Sequence, residues 1–131
     1  MVIVLAAEHD LIPRRVCRGL EEAGFTVVAV ADAMLLLRLL RAARHPALVV
    51  LDVTPPGRDL ATILPLLVYE RFLMPHHAYI LCTARPPRLA VALLEKLEGQ
   101  VLITPFTSAE LVRRIAQAAA HLTLRDAVPA Q

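Results

Sequence analysis

The chain has 131 residues, of which 57% are hydrophobic and 20% charged, and its formal net charge is +2. That length gives one domain with enough apolar material for a core, and the composition excludes an intrinsically disordered chain. The charge is too balanced for an electrostatic nucleic-acid binder, and no Trp, two Tyr and three Phe supply a poor stacking platform for single strands.

In chain order, residues 2–6 (VIVLA) read as a buried strand. The start lacks a basic leader and meets acid at Glu8, so it does not read as a signal peptide. Asp10 can cap a first helix through Ala23, with Pro13 in its first turn, Gly24 at its end, and Ile12, Val16 and Leu20 as its apolar stripe. Arg14, Arg15 and Arg18 read as its solvated face. Residues 26–30 (TVVAV) give a second strand, and Asp32 caps a second helix that runs to about Arg44 and stops before Pro46. Residues 47–53 (ALVVLDV) form the most apolar strand, expected to be central.

A third helix lies within residues 60–73, where Pro65 requires either a start near it or a kink. Residues 78–82 (AYILC) are a fourth strand. Pro86 and Pro87 open a fourth helix ending at Gly99, and residues 101–103 are a short fifth strand. Thr107 and Glu110 form a capping box for the last helix, with Leu111, Ile115, Ala118 and Leu122 as its core stripe. The domain is expected over residues 1–122, with a frayed tail at 123–131. Strands alternating with helices through short connections imply an α/β domain with a parallel sheet and right-handed crossovers. No apolar run approaches the ~18 residues of a membrane-spanning helix, so a soluble, cytoplasmic protein is expected. Cys17 and Cys82 form no C-x-x-C pair and read as two buried thiols in a reducing compartment.

Ligand chemistry in such a fold belongs at the carboxyl ends of the strands. There the sequence places Glu8 after strand one, Asp52 inside strand three, Thr83 after strand four, and Thr104 with Pro105 after strand five. Two acids on neighbouring strands can hold a hard cation such as Mg²⁺, and an Asp beside it can accept a phosphoryl group. A carboxylate embedded in LVVLDV needs compensation, because burying it unpartnered is costly. The blander reading makes Glu8 and Asp52 polar groups at a loop edge.

These segments together resemble a response-regulator receiver domain over about residues 2–122. LVVLDVTPPGRDL is similar to the family's phosphoacceptor segment, ILCTAR to its fourth strand, LITPFTSAEL to its fifth strand with a cis-proline turn, and LEEAGFTVV to the end of its first helix and its second strand. The resemblance implies a flavodoxin-like, doubly wound five-stranded parallel sheet of order 2-1-3-4-5 with helices on both faces. It implies Asp52 as phosphoacceptor, Thr83 as switch hydroxyl, and Glu8, Asp52 and the Thr54 backbone carbonyl as Mg²⁺ ligands. It further implies a two-component signalling module rather than an enzyme. Its partner would be a sensor histidine kinase or other signalling protein.

The departures from that pattern alter the expected chemistry. The family's acidic pair falls on Ala7 and Glu8, so one acid is missing and the other is longer than Asp. Asp10 is a substitute for the missing acid or, as expected, an N-cap. The family's Lys before the cis proline is Thr104 here, and Lys96, the chain's single Lys, lies in the fourth helix. Val101 stands at the aromatic switch position. Weakened Mg²⁺ binding and impaired phosphorylation of Asp52 follow, which makes a pseudo-receiver the leading reading and a Mg²⁺-dependent phospho-switch the alternative. A small nucleotide- or flavin-binding α/β enzyme ranks lower, because no glycine-rich phosphate loop is present. The second helix carries six apolar residues in positions 34–40, which suits either a wide core contact or a partner or homodimer surface at helices two and three. His76 and His77 are adjacent and tend to point apart, a poor metal pair.

Overall fold

The computed structural model describes residues 1–7, 14–53 and 60–127, and of residues 60–61 and 123–127 it describes the backbone. Five strands, β1 (Val2–Ala7), β2 (Thr26–Val30), β3 (Leu48–Asp52), β4 (Ala78–Thr83) and β5 (Gln100–Ile103), form one sheet of order β2-β1-β3-β4-β5. Every pairing is parallel. The fold is therefore the doubly wound sheet expected from the alternating pattern.

Five α-helices cover it: α1 (Arg14–Glu22), α2 (Ala33–Ala42), α3 (Leu64–Glu70), α4 (Arg88–Lys96) and α5 (Ser108–Ala127). Leu36, Leu37 and Leu40 of α2, Leu64 and Leu67 of α3, and Leu94 of α4 pack on one face with Val49 and Leu51. Val16 and Leu20 of α1 and Leu111 and Ile115 of α5 pack on the other with Leu48 and Val50. The alternation along β3 feeds both layers, and all five of its residues are buried. Such a strand reads as a continuous apolar run because neither face meets water.

Local signals set the element ends. Asp32 is the N-cap of α2 and accepts a hydrogen bond from the Met34 N–H at 3.2 Å. That helix ends at Ala42 rather than near Arg44, with Ala43 already extended. His45 precedes Pro46 and is biased away from helix, so the chain turns early. A 3-10 turn (Leu60–Ile63) leads into α3, and Pro65 sits in the first helical turn, where its missing N–H costs nothing. The Glu110 N–H donates to Thr107 Oγ1 at 3.1 Å, as the capping box requires. The helix it opens continues to Ala127, past the frayed tail expected from residue 123, because no Gly or Pro intervenes before Pro129. The Asp10 cap and Pro13 lie outside the described residues.

Two glycines answer backbone demands. Gly24 has φ +95° at the end of α1. A Cβ on Gly99 would lie 2.4 Å from Leu94 Cδ1 and 3.1 Å from the Tyr79 carbonyl oxygen, so a larger residue where α4 turns into β5 would have to displace the buried Leu94. The left-handed residue of that turn is instead Glu98, at φ +55°.

The two adjacent histidines separate as their alternation suggests: His76 is exposed and His77 is buried. His77 Nδ1 accepts the Ala47 N–H at 2.9 Å, and Nε2 lies 3.2 Å from the Leu40 carbonyl oxygen. One neutral tautomer serves both, with Nε2–H as donor. The Leu40 carbonyl is one of the last four of α2, which the helix cannot satisfy itself. His77 therefore ties the end of α2 to the entrances of β3 and β4.

Burial pushes the His77 imidazole below its ordinary value, against a smaller opposing effect of the Leu40 carbonyl. The unfolded chain then takes up a proton that the folded chain refuses. The stabilisation from neutral His77 is complete above about pH 6.5 and is lost as pH falls below it, with a slope of at most ~1.4 kcal/mol per pH unit. His77→Asn keeps an acceptor for Ala47 but does not titrate. The stability gap between wild type and His77→Asn, from urea unfolding, is expected to narrow from pH 7 to pH 5. A constant gap contradicts this assignment.

Candidate functional site at the carboxyl ends of the strands

Parallel register aligns side chains of neighbouring strands on one face. Ala7 of β1 pairs with Asp52 of β3, and Asp52 pairs with Cys82 of β4, which in turn pairs with Leu102 of β5. The row Ala7–Asp52–Cys82–Leu102 thus crosses the central sheet one residue short of its carboxyl edge. Thr83 and Ile103 form the next pair.

Asp52 is 7% exposed and Thr83 is 2% exposed. Both are drawn inward by the apolar strands that carry them. The backbone joins the three strand ends: the Val53 N–H donates to the Cys82 carbonyl at 3.0 Å, and the Thr104 N–H donates to the Thr83 carbonyl at 3.1 Å. The Thr104–Pro105 peptide is cis, as the resemblance of this segment implied. Asp52, Thr83 and Thr104 therefore sit at one edge on three neighbouring elements. Thr104 is half-buried and brings a hydroxyl, with no charge, to that rim.

Glu8 and Thr54, the other expected metal ligands, lie outside the described residues, as does Gly57 of the turn. Ala7 lies directly beside Asp52 and brings a methyl group where a second carboxylate would serve a cation. Among the described residues no group of three His, Cys, Asp or Glu side chains could hold a metal ion. Mg²⁺ is held by carboxylates in near-ideal octahedral geometry, and at the ends of β1, β3 and β4 the described donor set offers the single carboxylate of Asp52. That set by itself does not fit the ion.

The charge of Asp52 is felt next door. Burial, and in smaller measure the negative charge of Asp52, push the Cys82 thiol up to about 12. Cys82 is 1% exposed and stays a thiol at physiological pH. Cys17 was expected to be buried as well but is half-buried, because it flanks the inward stripe of Val16 and Leu20.

The second helix divides its leucines. Leu36, Leu37 and Leu40 are buried, whereas Met34, Leu35 and Leu39 are exposed. The outer side of α3 and the turn after it add Leu66, Tyr69, Phe72 and Leu73, the last three more than 80% exposed. The sequence reading placed a partner surface at helices two and three but named its apolar residues on the second alone, although spacings of three and four from Leu66 to Leu73 carry the stripe on the third. Glu70 receives a bidentate pair from Arg41 of α2, at 2.7 Å from Nε and 2.6 Å from Nη2, which fixes α3 beside α2.

No protein-family model matches the chain, and no curated protein matches it. Solved structures do. The chain is similar to the signal receiver domain of an HD domain-containing protein from Pseudomonas fluorescens, with 25% identity, a TM-score of 0.71, and 93% of this chain and 96% of that one covered. It is similar to a CheY-like response regulator receiver domain from Methanospirillum hungatei, with 16% identity, a TM-score of 0.74, and 95% and 97% covered. It is also similar to the receiver domain of a Francisella response regulator, with 19% identity, a TM-score of 0.70, and 92% and 97% covered. The chain has the receiver fold and resembles a divergent response-regulator receiver domain.

The buried Asp52–Cys82 pair makes a chemical prediction. Below pH 9, a thiol reagent should modify Cys17 in the folded protein and leave Cys82 untouched until the chain is unfolded. Asp52→Asn removes the smaller of the two effects and should leave Cys82 protected in the folded protein, because burial is the larger. Equal reactivity of both thiols in the native protein contradicts the placement.

Proposed function

We propose that this chain is a receiver-type signalling module of a two-component system in which phosphorylation of Asp52 is impaired and output is a protein–protein contact. The observation that carries this reading is the neighbourhood of Asp52: Ala7 beside it on β1, Cys82 beside it on β4, and Thr104 at the rim. Transfer of a phosphoryl group to a carboxylate needs positive charge on the transferring oxygens. Bound Mg²⁺ would supply part of that charge through Asp52, Glu8 and the Thr54 carbonyl. Ala7 removes one of its ligands, and Thr104 offers the phosphoryl oxygens a hydroxyl in place of an ammonium. Thr83 keeps its hydroxyl at the edge and remains the candidate switch group.

The second reading is a working phospho-switch. The retained Asp52 and Thr83 favour it. Incubation with acetyl phosphate and Mg²⁺, read by intact mass, separates the two. Little or no labelling is expected for the natural sequence. Ala7→Asp combined with Thr104→Lys should raise labelling by at least about tenfold, and by more than either change alone, because the groups act as one site. Robust labelling of the unmodified chain, abolished by Asp52→Asn, selects the phospho-switch instead.

The contact surface in this proposal is the outer side of α2 and α3. Tyr69 and Phe72 each expose more than 80% of their surface, and aromatic side chains of this size bury ~150–250 Å² apiece. With Leu73, Leu66, Leu35, Leu39 and Met34 they approach the ~800 Å² per partner of a standard interface. Glu70 is neutralised by Arg41, so the face asks for another apolar face, and a second copy of the chain provides one. A dimer in sedimentation is expected, with Tyr69→Glu or Leu35→Glu shifting it to monomer. Dimerisation unchanged by both, or a monomer at all concentrations, sinks this surface. Among the described residues no helix is long and apolar enough to cross a membrane.

A further inference from the structure

The amino ends of β4 and β5 border a cavity of about 180 Å³ between the α3–β4 and α4–β5 connections. It lies at the opposite end of the sheet from Asp52 and takes no part in the chemistry considered above. Tyr79 lines it and is 5% exposed. Among the described residues the Tyr79 hydroxyl has no hydrogen-bond partner, and no side-chain polar atom is both fully buried and unpartnered. The hydroxyl is therefore the solvent-touching tip of an otherwise buried ring, and Tyr79 lines both this cavity and a smaller one beside it. Burial alone holds its pKa far above the ordinary phenol value, so the group stays an O–H donor at every physiological pH.

The other walls divide by chemistry. Phe72, Pro75 and Leu97 are apolar. His77 adds only ring surface, since both of its nitrogens are engaged with Ala47 and Leu40. Arg71 is anchored: Nη1 donates to the Val68 carbonyl at 2.6 Å, and the guanidinium lies 4.4 Å from the Phe72 ring centroid. Its remaining N–H groups, and the three of Lys96, are donors. Glu98 is the one acidic side chain on the wall, and it is paired with His76 at 3.5 Å. The terminal carbonyls of the adjoining helices are also taken. The Leu94 carbonyl accepts from Leu97 and Gly99, the Glu95 carbonyl from Glu98, and the Glu70 carbonyl from Leu73. Beside the exposed Glu98–His76 pair, the polar groups on this wall are thus donors, two of them cationic, set among apolar residues.

We infer that this cavity is a binding site for a small organic carboxylate, its apolar body against Phe72, Pro75 and Leu97 and its oxygens accepting from the Tyr79 hydroxyl and the Lys96 ammonium. An acceptor answers the Tyr79 hydroxyl, and a negative one answers Lys96 and Arg71. The volume holds a single ring with its carboxylate. Glu98 holds its left-handed backbone on the same wall, a strain of the kind that collects at binding sites.

The probe is benzoate, followed by amide chemical shifts of the ¹⁵N-labelled full chain. Saturable shifts are expected at residues 71–79 and 96–99, with a Kd of about 1 mM for a ligand this small. Benzamide, the neutral isostere, should bind at least about tenfold more weakly. Tyr79→Phe keeps the ring and removes the hydroxyl, and should weaken benzoate about tenfold. Lys96→Gln, at an exposed helix end, should weaken it as well and serves where Tyr79→Phe does not fold. Asp52→Asn should leave binding unchanged, so this test stands whether or not Asp52 is phosphorylated. The site is refuted by the absence of saturable shifts up to about 20 mM, by equal affinity for benzamide, or by full affinity in Lys96→Gln and Tyr79→Phe.

Discussion

The fold depends on one strand. β3 is buried along its whole length, and its alternating residues supply both core layers at once. Removing any of its side chains costs both transfer free energy and a cavity, of order 2–5 kcal/mol for a large residue cut to Ala. The same strand delivers Asp52 to the sheet edge. Its carboxylate is held at 7% exposure because the strand around it cannot be moved toward solvent without opening both layers. Core and site thus rest on a single constraint, and Asp52 has one neighbour in the sheet on each side. Here they bring a methyl group and a thiol.

The sheet is fastened at its other end by a different device. α2 ends abruptly before Pro46, and its carbonyls need donors at a place where the chain enters β3. His77, arriving at the start of β4, supplies the donor to Leu40 and accepts from Ala47. A neutral imidazole suits this place because it carries a donor and an acceptor on opposite sides of one rigid ring. Glu70 and Arg41 then hold α3 beside the same helix from the solvent side.

Much of this was legible in the sequence. The apolar runs marked all five strands, because strands of a parallel sheet are buried on both faces and need no alternation. Pro65, Asp32 and Thr107 announced helix starts through backbone chemistry that is local and therefore readable. The parts that escaped are those in which distant residues meet. Nothing in the pair His76-His77 says that one ring will close a helix that ends thirty-five residues earlier. The bare hydroxyl of Tyr79 is invisible in AYILC, where the ring reads as one more core residue. The exposed face of α3 was hidden because Leu, Tyr and Phe look alike whether they point inward or outward. At the candidate site the places of Asp52, Thr83 and Thr104 at one sheet edge were legible from the fold pattern, whereas the closeness of Cys82 to Asp52 required the register.

The two ends of the molecule share β4 but not their energetics. Tyr79 and Thr83 are four residues apart on that strand, about 13 Å at ~3.3 Å per residue. β4 is paired on both sides and packed in both layers, so it has no second register to adopt. Coupling between distant sites requires an element with two arrangements that both sites bias. A strand held this way is not such an element. A carboxylate bound near Tyr79 and a modification at Asp52 are therefore independent events in this fold. Any signal that joined them would have to pass through the outer helices, where α3 and the turn after it carry both a wall of the cavity and the exposed Tyr69, Phe72 and Leu73. Phe72 belongs to both surfaces, so a ligand that orders its ring alters the face that α3 offers to a partner while leaving Asp52 as it was.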